Sequence, residues 1–277
     1  IFDQYRHSLS KDGNFLISFL IRRVVILVPM AFTISALIFF ASRLSPIDPI
    51  NAMVPPDMAA DSANLAQLRQ ELGLNDNIIF QYFHWLRDIA TGNFGYSLQS
   101  GQKISEILSL RMPATLELVL SALILSTILA LALGLFAGAK RGGIADKLSR
   151  IFAVIGIAVP DFFIGLALLN IFAYRVALLP TGNRIAPGEV TFWDRFPHLI
   201  LPVSTLTIAM LAVLIRYTRN SVLDTLNRDF VKTARSKGVP EWRVLYSHVF
   251  RNSLGPVMVI LAFRLPLLVG GSILVET

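Results

Sequence analysis

"ATLELVLSALILSTILALALGLFAG", residues 114–138, holds one charged side chain, Glu117, and no proline. A helix needs about 20 apolar residues to cross a hydrocarbon core about 30 Å thick, and this run is long enough. No water reaches the backbone there, so every N–H and C=O must be paired inside a helix or a closed barrel. The run lacks the alternation of a barrel strand and is therefore read as a helix. Four more apolar runs follow the same logic: residues 17–42, 151–174, 199–217, and one that begins near 254 and is still apolar at Thr277. The first is too long for a signal-peptide core and no small-residue cleavage pattern follows it, so it is read as a retained span. The expectation is an all-α polytopic membrane protein with five spans.

Composition agrees. Of 277 residues, 54% are hydrophobic and 16% charged, against about a quarter charged in a soluble domain. A soluble enzyme is excluded by the spans. The net charge of +7 raises the possibility of nucleic acid, but its placement argues against it. The amino-terminal segment, the loop after the second run and the loop after the fourth together carry sixteen Lys and Arg against six acids. The segments between, 43–111 and 175–195, carry eight basic and nine acidic residues. The first set is therefore expected to face the cytoplasm, with the amino terminus inside. This divides the chain into a cytoplasmic segment 1–16 and a transmembrane domain 17–277, with an external cap at 43–112 and a cytoplasmic loop at 218–252. There is no cysteine, so disulfides, thiolate metal sites and cysteine nucleophiles are excluded. The chain begins at Ile1, and its natural start is expected to lie upstream.

In the external segment, "DSANLAQLRQELGL" (61–74) holds helix formers and ends at Gly73, a C-cap candidate. "IIFQYFHWLRDIATGNFGYS" (78–97) follows with aromatics at helical spacing before a glycine-rich turn. An amphipathic cap on the bundle is the plain reading, and a surface where substrate enters is the sharper one.

The loop after the fourth run, "DFVKTARSKGVPEWRVLYSHVFRN" (229–252), is basic and helix-prone. Asn227 is a candidate cap for a short helix through Phe230, Val231 and Ala234. Arg235 and Lys237 suit its last turn, where cations favour the dipole. Gly238 fits the left-handed position after a helix. Pro240 fits the first turn of a second helix, with Glu241 beside its positive end. Trp242, Leu245 and Val249 recur at three- and four-residue spacing and form an apolar face. The plain alternative is a cytosolic loop that obeys the charge rule and nothing more.

The motif spacing goes further. The segment resembles the "EAA" coupling loop of ABC-importer permeases: three residues, a gap of three, then glycine. Lys232, Thr233 and Ala234 hold the first places and Gly238 the turn. The first two depart from the general form but match the dipeptide/oligopeptide/nickel branch, where "TARSKG" (233–238) is typical. His248, Arg251 and Asn252 match that branch's His-x-x-Arg-Asn close. "LSPIDP" (44–49), "ELGL" (71–74), "GNFGYS" (92–97), "RMPATLEL" (111–118), "RYTRNSVLDTLNRDFV" (216–231) and "GGSILVET" (270–277) stand in the family's order. Ile47 replaces its glycine and Asn93 its aspartate. Members have six spans, so a sixth is expected beyond residue 277.

The resemblance implies a type I ABC importer transmembrane domain in the bacterial inner membrane. No Gly-x4-Gly-Lys-Ser/Thr phosphate loop is present, and "GLFAGAKR" (134–141) does not fit one. ATP and Mg are therefore expected on two separate ATPase subunits, with no cofactor in this chain. The other implied partners are a second homologous permease and an extracytoplasmic solute-binding protein. Asp229, Phe230, Lys232, Thr233, Ala234, Arg235, Lys237, Gly238, Glu241, Trp242 and Arg251 would form the joint to an ATPase and pull the fourth and fifth spans. The expected cargo is a peptide; the branch also carries nickel chelates, glutathione, opines and oligosaccharides. The rival class is an ATP-independent secondary transporter, which calls for discontinuous helices in paired repeats. No internal repeat is found.

Four further features stand out. Arg264 lies within the fifth run, where a cation costs about 2.5–3.5 kcal/mol on insertion scales; it is read either as a residue of the translocation path that meets a substrate carboxylate or as one that snorkels or pairs with a neighbouring subunit, and Pro266 beyond it is expected to kink the helix. Asp161 follows Pro160 inside the third run; it either faces the translocation path or pairs with Arg264. His84 and His198 have no ligand partners at helical spacing, so no metal site is expected. Gly134 and Gly138 form a Gly-x3-Gly, which lets helices approach closely but also arises often by chance.

Overall fold

The structure, a computed structural model, describes residues 2–44, 70, 74–97, 100–182 and 191–276, with side chains outside 2–17 and 267–276. Most of "LSPIDP" and of the 61–74 segment lies outside the described residues, as do the side chains of "GGSILVET". The chain divides into two units, Ile1–Ser109 and Leu110–Thr277.

The first unit holds α1 (Phe2–Arg43) and α2 (Ile78–Ala90). The apolar part of α1, Ser18–Arg43, is long enough to cross a membrane. Asn77 caps α2 by accepting the Ile79 N–H at 3.0 Å. The buried Tyr82 ties the two helices together: its hydroxyl lies 2.8 Å from Ser35 Oγ and donates to the Phe32 carbonyl at 3.1 Å. Its ring packs on Phe39, Phe40 and Trp85. Within the segment expected as an external cap, α2 therefore runs beside α1 between Phe32 and Phe40.

The second unit takes in α3 (Ile104–Ala139) from Leu110 onward, and α3 and α4 (Ile144–Ala158) form a hairpin. They are followed by α5 (Asp161–Leu168), which continues as a π-helical stretch, π1 (Leu169–Arg175), and then by α6 (Phe192–Leu226). The chain closes with α7 (Asp229–Ser236), α8 (Glu241–Arg243), a second π-helical stretch, π2 (Val244–Phe250), and α9 (Arg251–Glu276). Among the described residues, α3 and α6 each suffice in length and hydropathy to span a bilayer. α9 adds an apolar helix of 26 residues that runs through Pro256 and on past Pro266 to Glu276.

One expected span is not straight. Residues 151–174 were expected as a single helix, but α4 and α5 meet at a break bent by 102°. Pro160 has no N–H to give and disfavours helix in the residue before it. Accordingly Val159 (φ −88°, ψ 125°) and Pro160 (ψ 142°) are both extended. Asp161 thus opens α5, where the helix dipole favours an anion, instead of lying inside a continuous span.

The core is built around α6. Leu206, Met210, Leu211, Leu214 and Ile215 of α6 pack with Leu118, Val119, Ala122 and Ala130 of α3 and with Val257 and Leu261 of α9. The helices meet where side chains are missing. A Cβ on Gly134 would lie 2.6 Å from Thr218 Cβ, one on Gly138 2.6 Å from Val222 Cγ1, and one on Gly156 2.5 Å from Ala212 Cβ. The Gly-x3-Gly pair is therefore a helix-crossing site. Gly138→Ala should lower the stability of the detergent-solubilised protein by roughly 1–3 kcal/mol, the usual cost of overpacking. Gly255→Ala, with nothing within 4 Å of the new methyl, should leave the apparent Tm unchanged or higher; melting both variants by size-exclusion fluorescence checks the pair.

Candidate functional site

Helix α6 ends at Asn227 and the chain turns at once into α7. The capping residue of α7 is Arg228 (φ −73°, ψ 148°), and its side chain makes no capping hydrogen bond. The expected cap, Asn227, instead closes α6. Asp229 occupies the first turn of α7 and Arg235 the last, in the sense the dipole favours. Lys232 Nζ meets Asp229 Oδ1 at 3.0 Å.

The end of α7 is a full Schellman motif. Gly238 has φ +76°, a conformation open to glycine and costly for a residue with a Cβ. Its N–H donates to the Arg235 carbonyl at 2.9 Å, and the Val239 N–H donates to Ala234 at 3.2 Å. These are the two bonds that satisfy the last carbonyls of a helix. Arg235 then reaches across the turn to Glu241, with Nη2–Oε1 at 2.5 Å and Nε–Oε2 at 3.1 Å. The paired guanidinium holds the Glu241 carboxyl below the usual carboxylate range, and Glu241 raises Arg235 in return. Both groups are about half exposed, so the clip fixes geometry more than it adds stability.

A small core backs the loop. Val231 and Ala234 of α7 pack with Val222 of α6 and with Val244 and Val249 of π2, joined by Leu135 of α3, Leu226, Val239 and Leu245. The second arm is continuous with α9 through α8 and π2, so it is the beginning of the last helix. Trp242 does not join the expected apolar face: it is 65% exposed, with the Arg243 guanidinium 5.3 Å from its ring. In π2, whose hydrogen bonds run to the fifth residue, Val244 and Val249 are both buried, while Trp242 lies ahead of it in α8.

The remaining loop residues divide cleanly. Asp229, Phe230, Lys232, Thr233, Arg235, Lys237, Gly238, Glu241 and Arg251 are exposed, whereas Ala234 is buried. A cleft of about 740 Å³ opens beside α7, lined by Tyr217, Asn220, Asp224, Arg228, Phe230 and Asn252 among others. Asp161 is exposed at the start of α5 and Arg264 half-buried on α9. No ion pair joins these two among the described residues. His198 Nδ1 donates to the Gly182 carbonyl at 3.0 Å.

A buried ion pair was not foreseen from the residues. Asp146 in the first turn of α4 is 1% exposed and is hydrogen-bonded by Arg219 Nε of α6. The Gly142 N–H donates to its other oxygen at 2.8 Å, and Arg150 lies 3.8 Å away. The signal available was a lone acid in an otherwise basic loop. Its partner lies 73 residues along the chain, which no local pattern reveals.

Residues 130–277 match the family described as binding-protein-dependent transport system inner membrane component, and residues 16–119 match the N-terminal region of such membrane components. The oligopeptide transport system permease protein AppB of Bacillus subtilis is 36% identical over 261 residues, covering 94% of this chain and 82% of AppB. The glutathione transport system permease protein GsiC of Escherichia coli K12 is 33% identical over 261 residues, covering 94% and 82%.

The clip gives a signed pH dependence. A carboxyl whose pKa is lowered on folding stabilises above its unfolded value, near 4.5, and that contribution disappears as pH falls through the lowered folded value. Glu241→Gln should therefore cost under about 1 kcal/mol at neutral pH. The difference in apparent Tm from the unsubstituted protein should vanish in acid, as measured by differential scanning fluorimetry across pH.

Proposed function

We propose a role for this chain, which belongs to the binding-protein-dependent transport system inner membrane component family, as one membrane-spanning subunit of an ATP-driven peptide importer. Cargo moves from outside to cytoplasm as the helix bundle alternates between inward- and outward-open packings. ATP and Mg are handled by two separate ATPase subunits, a solute-binding protein delivers cargo, and a second permease completes the pathway. The charge asymmetry supports an inner-membrane placement with the amino terminus and α7 on the cytoplasmic side.

The observation that carries the reading is the construction of α7. It is eight residues long and spends Val231 and Ala234 on its own small core. Its outward face carries Phe230, 42% exposed, with the exposed Lys232 and Lys237, none of which joins that core. Such a face suits a cleft on an ATPase, and the Schellman end and the Arg235–Glu241 clip make the element stiff enough to pass on displacement. Driving a two-state bundle from 1:99 to 99:1 takes about 5.5 kcal/mol of differential binding, which calls for a joint with little slack. Peptide cargo is supported by the oligopeptide permease AppB. The name of GsiC favours glutathione as a second reading, itself a short peptide.

The break in α4–α5 meets one demand of the rival secondary-transporter class, but a single broken helix without a paired repeat does not meet the rest. The test is reconstitution with ATPase subunits and binding protein in proteoliposomes. Labelled peptide should accumulate only with ATP, and peptide should stimulate hydrolysis. Gly238→Pro cannot adopt a positive φ and loses the N–H given to Arg235. It should abolish uptake and the peptide-stimulated part of ATP hydrolysis while the chain still inserts. Gly238→Ala keeps the N–H at a cost of roughly 1–2 kcal/mol and should retain partial uptake. Peptide-stimulated hydrolysis at the unsubstituted level in Gly238→Pro would count against the role of α7.

A further inference from the structure

The same turn of α6 is gripped from two sides. On one side Val222 belongs to the core that seats α7. On the other, Thr218 and Val222 fill the space left by Gly134 and Gly138 of α3. Between those two contacts Arg219 projects to Asp146, at the start of α4.

The α3–α4 turn is itself closed tightly. Gly143 N–H bonds the Lys140 carbonyl at 3.0 Å. Gly142 (φ +79°) presents its N–H to Asp146 at 2.8 Å, and the Asp146 carbonyl takes the Ser149 hydroxyl at 2.9 Å. Arg219 also donates to the Asn220 side chain at 3.1 Å. The Asp146 carboxylate is 1% exposed and is held from α6 by the Arg219 guanidinium as well as by Gly142 and Arg150 on its own side, so parting α4 from α6 here breaks a charge-assisted hydrogen bond between two helices and is resisted.

We propose that Asp146 and Arg219 are positioning residues of the transport cycle, locking the α3–α4 hairpin to α6 so that hairpin and α7 loop move as one rigid body. This rests on the reading of α7 as the joint to an ATPase. The consequence is a place for the flexing. If the inner ends of α3, α4 and α6 do not part, relative motion is absorbed at the Val159–Pro160 break, where the chain already bends by 102°, and not at the α3–α4 turn. Displacement of α7 then reaches α3 and α4 as well as α6 and α9, the two helices that flank the loop.

The absence of cysteine makes the idea testable in the assembled importer. Lys147→Cys on the hairpin and Ser236→Cys on α7, both exposed positions, carry spin labels for pulsed dipolar distance measurement. The expected result is one narrow distance, the same in nucleotide-free and ADP–vanadate-trapped complexes. A distance that shifts between the two states overturns the proposal, and this measurement decides alone where a variant fails to assemble.

Asp146→Asn and Arg219→Gln should broaden the distance distribution and raise the ATP hydrolysed per labelled dipeptide imported several-fold. Arg219→Lys, which keeps the charge, should remain near the unsubstituted ratio. Variants that melt lower yet import at the unsubstituted ratio would assign the pair a structural role only and overturn the proposal. A complex that hydrolyses ATP without importing the dipeptide counts against the peptide reading. The label distance needs only ATP and vanadate, and it still decides this inference.

Discussion

The fold depends on how closely other helices can approach α6. In lipid the surroundings of a helix are as apolar as its own leucines, so helices are held together by packing and by polar contacts between them. Gly134, Gly138 and Gly156 supply the packing by removing the Cβ atoms that would hold α3 and α4 away from Thr218, Val222 and Ala212. Once the backbones are close, the longer side chains of α3, α6 and α9 mesh into one core. Arg219 is then brought within reach of Asp146. The polar contact follows from the close packing and afterwards protects it.

The α7 loop extends that body. Its rigidity comes from three independent devices of different kinds: a Schellman end at Gly238, a guanidinium–carboxylate clip across the turn, and a valine-rich core shared with α6 and π2. The α4–α5 break leaves two residues extended, and π1 and π2 depart from the α-helical bonding pattern. π-helical turns occur often at functional sites, and π2 supplies Val244 and Val249 to the core that seats α7.

Much of this was legible in the residues. Continuous apolar runs set the helical membrane class, because lipid leaves an unpaired backbone nowhere to go. "TARSKG" placed the left-handed glycine and the end of α7, since that turn chemistry is local and only glycine enters it cheaply. The Gly-x3-Gly was visible but ambiguous, because the motif says that a neighbour can come close and not which one does. Pro160 was equally visible. Its effect was underestimated because hydropathy runs straight through it and a proline in a long helix sometimes only kinks it.

What the sequence determined by itself, then, is the helical membrane class, the long apolar helices α3 and α6 and the turn at Gly238, all of which depend on residues close to one another along the chain. Tertiary structure decided the rest. It left Trp242 of α8 outside and buried Val244 of π2. It joined Arg235 to Glu241 across a turn and Asp146 to Arg219 across 73 residues. Each of these depends on where two backbones come to rest in space, and in a membrane that is settled by which surfaces fit most closely, a property of the packed pair and not of either segment.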